Sequence, residues 1–480
     1  MKSPLDPAAL SIHRRSFLGR AAQGVGAIAL ASLLDPSLLR ARPQPIQVTS
    51  PALTLPRKAK RIIWLTMAGG PSQFETFDPK PGLARLDGQP MPESFTRGQQ
   101  LAQLQGQQLV CLAPMFPFRK YGQSGTEISE LFPHIGSVID EICLVRSMTT
   151  EAINHDPAHM FMNTGSQIAG RPSMGAWVTY GLGSEAENLP GFVVMISTGK
   201  GRSPQPIAAR QWGSGFLPGR FQGVPVRGQG EAVHYLGNPG GVSREQQGAD
   251  VDAINALNAQ RDAVVHDPEV AVRIAQYEMA FRMQAGVPEL TEIRDESRET
   301  LELYGCQPGD GSFASNCLLA RRMTERGVRF IQLYHRDWDH HSLLHEELPI
   351  RAREVDQASA ALITDLKRRG MLDETLIVWT GEFGRTPMSQ SNKGPVGRDH
   401  HNKSMSMWLA GAGIKPGLVH GATDELGYAA EQDVCTVHDL HATMLHQLGV
   451  DHDAFSVKFQ GLDAKLTGVE KAKVIKDILV

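Results

Sequence analysis

The stretch Leu376-Ile-Val-Trp-Thr-Gly-Glu-Phe-Gly-Arg-Thr-Pro387 joins a strand pattern to a polar loop. Leu376–Thr380 is a short apolar run rich in β-branched residues, which is typical of a buried strand. Glu382 then lies at the carboxyl end of that strand, where open α/β sheets bind their ligands. The loop continues to Gly397-Arg-Asp-His-His401, in which an acid precedes two imidazoles. Acids and histidines on a loop at a strand end predict a divalent metal site.

Strand and helix patterns alternate along the rest of the chain. The other predicted strands are Lys60–Met67, Glu141–Met148, Phe192–Ile196, Val328–Tyr334 and Met405–Ala410. The helical patterns include Ile128–Asp140, Pro172–Gly181, Ser312–Arg326, Leu348–Arg369 and Val434–Leu448. This alternation predicts an α/β fold in which a mainly parallel sheet is sandwiched by helices.

The composition gives no support for several functional classes. The chain has 480 residues, of which 41% are hydrophobic and 21% charged, as in an ordinary globular protein. A net charge of -3 gives no support for binding to nucleic acid or to an anionic membrane. Five cysteines are widely spaced and form no CxxC pair, so neither a zinc ribbon nor a disulfide framework is predicted.

The N-terminus has the pattern of an export signal. Arg14-Arg-Ser-Phe-Leu18 precedes Ala21–Leu34, which is apolar, rich in small residues and uncharged. The arginine pair is of the twin-arginine type, which predicts a periplasmic or otherwise exported protein and a transient contact with that export machinery. Cleavage near Ala41, an uncleaved N-terminal anchor and a cytosolic amphipathic helix are the alternatives. We predict a signal segment over 1–41, a linker over 42–59 and one α/β domain over 60–480, with an insertion around 200–310.

A second group of ligand-type residues follows the predicted strand Val328–Tyr334. It reads His335-Arg-Asp-Trp-Asp-His-His341 and is the densest such cluster in the chain. A carboxylate and an imidazole two to four residues apart can reach one ion from an irregular loop, and Glu75 and Asp78 after the first strand would add oxygen ligands. Mixed ligation by Asp, Glu and His favours zinc, manganese or iron over calcium or a haem. A solvated polar loop is the alternative for either cluster alone.

Two further candidates allow a structural as well as a functional interpretation. His155 and His159 are four residues apart and share one face if they lie on a helix. They could bind a metal, contact a substrate or cap the helix. Arg385 could bind a phosphate or sulfate oxygen with two parallel hydrogen bonds, or form a structural salt bridge at a turn.

Five motifs together resemble one known family. In chain order they are Arg14-Arg-Ser-Phe-Leu18, Met67-Ala-Gly-Gly-Pro-Ser72 with Thr76-Phe-Asp-Pro79, Trp338-Asp-His-His341, Glu382-Phe-Gly-Arg-Thr386 and Asp399-His400. The set resembles an exported bacterial family, catalogued as a domain of unknown function, described as sulfatase-like and placed in the alkaline phosphatase-like superfamily. The resemblance runs from Arg14 to Gly461. It implies an alkaline phosphatase-like core and commonly two metal ions.

The resemblance also implies a ligand set by position. Asp78 matches the first acid of the superfamily, and Asp339 with His341 matches the middle pair. Glu382 stands where an Asp-His pair is usual, and His400 stands where the last ligand is expected. Asp399, which directly precedes His400, completes the set. The predicted metal ligands are therefore Asp78, Asp339, His341, Glu382, Asp399 and His400. Such ions would hold the substrate oxygens during displacement at phosphorus or sulfur.

The chain departs from the superfamily at the attacking group. Classical sulfatases carry Cys/Ser-x-Pro/Ala-x-Arg, whereas Cys111-Leu-Ala-Pro-Met115 and Cys306-Gln-Pro-Gly-Asp310 both lack the arginine. A formylglycine sulfatase of the usual kind is therefore excluded. Thr149 or Thr150 is the best-placed hydroxyl, and a metal-bound water is the alternative. Thr150 and Arg385 are the candidate catalytic residues.

These observations lead to one main hypothesis and two alternatives. The main hypothesis is an exported metal-dependent hydrolase of sulfate or phosphate esters, acting on an anionic ester such as a sulfated or phosphorylated glycan. The first alternative is a non-catalytic protein of the same fold that binds a glycan or a protein partner. The second is a metal-dependent isomerase or transferase. The unassigned nucleophile keeps the first alternative open.

Overall fold

The computed structural model describes residues 52–99, 101–197, 207–233, 238, 241–265, 268–391 and 394–480. The predicted signal segment, 1–41, and most of the predicted linker lie outside the described residues. By its internal contacts the chain separates into two units. Among the described residues, the larger unit lies within 47–236 and 282–480 and the smaller within 237–281.

The strands of the described residues are short, as in most α/β proteins. In chain order they are β1 (Arg61–Met67), β2 (Phe118–Tyr121), β3 (Thr126–Ser129), β4 (Ile142–Thr149), β5 (Phe192–Ile196), β6 (Val224–Pro225), β7 (Phe330–His335), β8 (Thr375–Thr380), β9 (Gly384–Ser389), β10 (Arg398–His401), β11 (Met405–Ala410), β12 (Val419–His420), β13 (Ala422–Thr423), β14 (Ala430–Gln432), β15 (Cys435–Thr436), β16 (Val457–Phe459) and β17 (Leu462–Ala464).

Nine of these strands form a central sheet within the described part of the chain. The order is β12-β4-β11-β8-β1-β7-β5-β6, and β15 pairs with β4 beside β12. β1 is parallel to both neighbours, with Ile63 opposite Ile331 of β7 and Ile377 of β8. Among the nine, β11 runs antiparallel to β8 and β4. The mainly parallel sheet predicted from the alternating pattern is confirmed.

Helices accompany the sheet along the chain. In chain order they are α1 (Gln73–Thr76), α2 (Pro81–Arg85), α3 (Glu93–Thr96), α4 (Pro133–Ser137), α5 (His155–Thr164), α6 (Met174–Leu182), α7 (Arg244–Val265), α8 (Pro268–Thr291), α9 (Arg298–Tyr304), α10 (Phe313–Glu325), α11 (Leu344–Arg368) and α12 (Val437–Gln447). Short 3₁₀ turns occur at Ile139–Glu141, Ala209–Trp212, Gly219–Phe221, Ile293–Asp295, Leu372–Glu374 and Lys476–Ile478.

Both faces of the sheet are buried. Trp64 of β1 belongs to one hydrophobic cluster with Trp177 of α6 and Leu440 of α12. Ile63 and Leu65, whose side chains project from the opposite face of the same strand, are also fully buried. A parallel sheet needs this double cover because its connections place helices on its faces. The predicted sandwich of sheet and helices is thus confirmed.

Two predicted segments have a different structure. Ile128–Asp140, predicted as one helix, instead contains the end of β3, the short helix α4 and part of a 3₁₀ turn. α4 begins at Pro133 because the carboxylate of Asp356 accepts hydrogen bonds from the N–H groups of His134 and Ile135, at 2.9 and 2.7 Å. The loop predicted after Glu382 is largely the antiparallel ribbon of β9 and β10.

The smaller unit contains α7 and the first part of α8. The Arg244 guanidinium lies 5.5 Å from the centre of the Phe281 ring, and Asn255 Nδ2 donates to Glu278 Oε1 at 3.4 Å. Residues later in α7 thus contact residues earlier in α8, so the two helical segments run antiparallel. In the part of the chain that the structure describes, no helix has the length and hydrophobicity needed to cross a membrane.

Candidate metal centre

The candidate centre lies where several strands end. The segments after β1, β7 and β8 carry Gly69, Asp339 and Glu382, and α5, which follows β4, begins at His155. These four strands point the same way, so their carboxyl ends share one edge of the sheet. β11 runs in the opposite direction, and its amino end lies at that same edge. His400, which precedes β11, therefore reaches the site as well.

Three imidazoles converge on the carboxylate of Asp339. The Nε2 atoms of His341 and His400 lie 3.0 and 3.2 Å from Asp339 Oδ1. Nε2 of His155 lies 3.2 Å from Oδ2. One ligand atom from each of these four residues lies within 4.8 Å of the others, a group that could hold a metal ion. Three imidazoles and a carboxylate are a donor set that zinc, manganese and iron accept.

The outward ring nitrogen of each histidine also faces an oxygen. The partners are Glu382 Oε1 for His155 at 2.6 Å, the Ile153 carbonyl oxygen for His400 at 2.7 Å, and Gln390 Oε1 for His341. A neutral imidazole carries one proton and can donate to only one of its two oxygens. If Nδ1 donates outward, each Nε2 presents a lone pair to Asp339. A lone pair that faces a carboxylate oxygen is repelled unless a proton or a metal cation lies between them, so the residues fit a metal ion.

The pKa values are consistent with such a centre. Burial lowers the pKa of His400 to about 4, with help from the charges of Arg385 and His155 and despite the neighbouring Asp339. Burial also acts to lower the pKa of His155, but Asp339 and Glu382 outweigh it and raise that pKa to about 9. A proton and a metal ion would therefore compete for His155 Nε2. The surrounding histidines and Arg385 hold the pKa of Asp339 well below its usual value, against the effect of burial.

Glu382 is fully buried and holds His155 in place. Its carboxylate accepts hydrogen bonds from the main-chain N–H groups of Gly69 and Gly70, at 3.0 to 3.1 Å, besides its contact with His155 Nδ1. Burial alone would raise the pKa of Glu382, but His159, His155 and the Gly69 N–H lower it to about 2. A carboxylate behind a metal-ligating histidine fixes the tautomer and orientation of the ring.

Arg385 lies beneath Asp339 and is only 2% exposed. Its Nη2 donates to Asp339 Oδ1 at 2.6 Å and to the Gly69 carbonyl. Nε donates to the Gly70 carbonyl at 2.8 Å, and Nη1 to the Arg398 carbonyl at 2.9 Å. The guanidinium therefore ties three segments of the site together and holds the Asp339 carboxylate.

Gly69 permits the close approach of two loops at the site. Its φ is +123°, a conformation that residues with a side chain rarely adopt. A Cβ at this position would lie 2.5 Å from the main-chain nitrogen of Asp339. Any side chain here would push apart the segment that binds Glu382 and the segment that carries Asp339.

Residues 59–479 match the family model described as "Protein of unknown function (DUF1501)". This chain belongs to that family. The match covers most of the chain, and it confirms the predicted membership of a family of unknown function. No curated protein matches the DUF1501 chain.

Several solved structures are similar in part to the structure of the DUF1501 chain. The lipoteichoic acid synthase LtaP from Listeria monocytogenes is 10% identical, with a TM-score of 0.36 over 90% of this chain and 79% of that one. A protein in the alkaline phosphatase superfamily from Vibrio parahaemolyticus is 11% identical, with a TM-score of 0.33 over 87% and 76%. The PsFucS1 sulfatase from Pseudoalteromonas sp. is 13% identical, with a TM-score of 0.33 over 85% and 73%. Likeness at this level leaves the function to the chemistry of the site.

The predicted ligands of the DUF1501 chain fall into two sets. Asp339, His341 and His400 belong to the converging group, and Glu382 contacts it through His155. Asp78 instead contacts Lys80 Nζ at 3.1 Å and accepts from Thr423 Oγ1 at 2.6 Å. Asp399 accepts from the N–H groups of His400 and Gln103, at 2.8 and 2.5 Å.

His155 is the site residue to which sequence reasoning gave too little weight. The available signal was the four-residue spacing of His155 and His159, which puts both rings on one face of α5. His159 lies behind His155, with Nε2 at 3.4 Å from Glu382 Oε1. Its ring is buried, and neither ring nitrogen has a hydrogen-bond partner among the described residues.

Proposed function

We propose that this member of the DUF1501 family is a metal-dependent hydrolase of sulfate or phosphate esters, with zinc, manganese or a similar divalent ion. One observation carries the proposal: the Nε2 atoms of three histidines converge on the Asp339 carboxylate while each Nδ1 faces another oxygen, an arrangement that a cation on the Asp339 side would satisfy. When bound, such an ion polarises an ester oxygen and lowers the pKa of water. An anionic ester, such as a sulfated or phosphorylated glycan, is the substrate class that a cationic centre favours.

The residues at this centre have two different roles, binding the ion and positioning its ligands. His155, His341, His400 and Asp339 would hold the ion, while Glu382 and Arg385 keep His155 and Asp339 in position. The Phe383 ring packs against His155 and His400, with ring centres 5.0 and 4.4 Å apart, and it is fully buried. This apolar wall excludes water from one side of the histidines and strengthens the electrostatic interactions there.

Thr150 is better supported than Thr149 as an attacking group. The Thr149 hydroxyl donates to the Cys435 carbonyl oxygen at 3.2 Å, so its proton is engaged. The Thr150 hydroxyl is buried and has no hydrogen-bond partner among the described residues. It lies on the segment that leads into His155.

The proposal is tested with the purified protein, aryl sulfates and aryl phosphates. We expect turnover that a chelator removes and a divalent ion restores, and we expect His400→Ala to reduce it by about 100-fold or more because a ligand is lost. His134→Ala is the matched control, since the His134 side chain is exposed on α4. Bound metal without turnover would favour a non-catalytic binding protein. Turnover that neither the chelator nor His400→Ala changes would reject the metal-dependent mechanism.

We also propose export by the twin-arginine route, on the strength of Arg14-Arg-Ser-Phe-Leu18 and the apolar run that follows. Replacing both Arg14 and Arg15 by lysine keeps the charge but removes the paired guanidinium groups. The precursor should then accumulate in the cytoplasm, as measured by cell fractionation. Unchanged export of the double variant would contradict this route.

A further inference from the structure

Two glutamine side chains connect His341 to an exposed loop. Gln390 Oε1 accepts from His341 Nδ1, and Gln390 Nε2 donates to Gln103 Oε1 at 2.7 Å. The main-chain N–H of Gln103 donates to Asp399 Oδ2 at 2.5 Å, directly before His400. The loop that carries Gln103 therefore contacts two residues next to the metal centre: Gln390, which binds His341, and Asp399, which precedes His400.

This loop, residues 101–109, is anchored on the C-terminal side of Gln103. Leu104 is 1% exposed and packs in a small hydrophobic cluster with Phe74 and Met388. Just past the loop, the Val110 carbonyl accepts from the Ser389 N–H at 2.9 Å, next to Gln390. Gln103 itself is exposed. Its position is thus set by buried neighbours, although its side chain lies at the surface.

His341 differs from the other two histidines in what holds its outer nitrogen. The partner of His155 is a carboxylate and that of His400 is a main-chain carbonyl, and neither group can donate a hydrogen bond in those states. The partner of His341 is an amide, which can turn to present either its oxygen or its NH₂ group. If the NH₂ group faced Nδ1, the His341 proton would move to Nε2 and block the lone pair that a metal needs.

Gln103 contacts the NH₂ end of this amide. Its Oε1 accepts from Gln390 Nε2, which leaves Gln390 Oε1 for the Nδ1 proton of His341. We propose that Gln390 and Gln103 are positioning residues of the metal centre, which keep the His341 proton on Nδ1 and Nε2 free for a cation. The inference rests on the proposed metal centre, and it holds whether or not that centre turns over an ester.

The test measures Co²⁺ and Zn²⁺ binding to the full chain by calorimetry, together with the visible spectrum of the Co²⁺ form. Gln390→Met removes the amide at similar size and should weaken binding by about 10- to 100-fold, the usual effect of losing a partner behind a ligating histidine. Gln390→Glu restores an acceptor for Nδ1 and should recover most of the affinity and the spectrum. Gln105→Met is the matched control, since the Gln105 side chain bonds to the Leu101 carbonyl of its own loop.

Gln103→Met changes an exposed residue and gives a second, independent measurement. It should weaken binding by less than Gln390→Met does, and it should add nothing in the double variant because Gln103 acts through Gln390. Equal affinities for the wild type and Gln390→Met would overturn the inference, and so would a Gln390→Glu variant as weak as Gln390→Met. If the wild type bound Co²⁺ without hydrolysing esters, only the hydrolase proposal would be contradicted. The affinities of the glutamine variants would still test whether Gln390 and Gln103 position His341.

Discussion

Asp339→Asn is expected to lower the affinity for a divalent cation by about 100-fold or more, a larger loss than that of a residue behind the ligands. Asp339 is the carboxylate on which His155, His341 and His400 converge. Asparagine has almost the same shape and keeps an oxygen that can accept from Arg385. It carries no charge, so the attraction between the centre and a cation is lost while the packing is retained.

The measurement is calorimetric titration of the metal-free protein with Zn²⁺, with the metal content of the purified protein as a second readout. Asp463→Asn is the matched control, because Asp463 is an exposed residue that pairs with Lys458. The control should bind as the wild type does. If Asp339→Asn retained wild-type affinity and stoichiometry, the four converging residues would not be the metal centre.

The largest loss of stability is expected from Glu75→Ala. Glu75 and Arg398 are both 0% exposed, and Arg398 Nη2 lies 2.7 Å from Glu75 Oε1. Arg398 Nε lies 3.1 Å from each of the two carboxylate oxygens. Removing Glu75 leaves the guanidinium charge buried without a counter-charge, which costs about 3–5 kcal/mol in comparable cases. Denaturation by urea, followed by fluorescence, would measure the change.

Two further variants separate the buried charge from the loss of packing. Glu75→Leu combined with Arg398→Met removes both charges and should lose less stability than Glu75→Ala, because no charge is left uncompensated. Glu93→Ala removes the carboxylate of an exposed ion pair with Arg97 and should change stability little. A Glu75→Ala variant as stable as Glu93→Ala would show that the buried pair contributes nothing to stability.

The position of Arg398 links this pair to the metal centre. The Arg398 carbonyl accepts from Arg385 Nη1, and Arg385 in turn holds Asp339. Arg398 also precedes His400 by two residues. Glu75→Ala should therefore weaken metal binding as well as lower stability. The sequence offered Glu75 as an oxygen ligand after the first strand, but the structure places its carboxylate with Arg398.

Local pattern was sufficient for six strands of the central sheet, β1, β4, β5, β7, β8 and β11, because burial on both faces gives such strands a continuous apolar run. β8 was predicted as Leu376–Thr380 and is found as Thr375–Thr380, and β7 was predicted within two residues at its start. The acids and histidines that follow these strands were likewise visible in the sequence. A residue that follows a parallel strand must lie at the carboxyl edge of the sheet, so Asp339 and Glu382 could be placed there from the sequence.

The partners of those residues depended on the tertiary structure. β11 is antiparallel, and this direction, which no local pattern reveals, brings His400 to the edge where the other strands end. His155 meets Glu382 across 227 positions of the sequence, and Glu382 meets Gly69 across 313. The residues alone thus determined which groups could bind a metal. Strand order and direction decided which of them meet, because contacts between distant segments are set by the packing of the whole sheet and not by their neighbours in the chain.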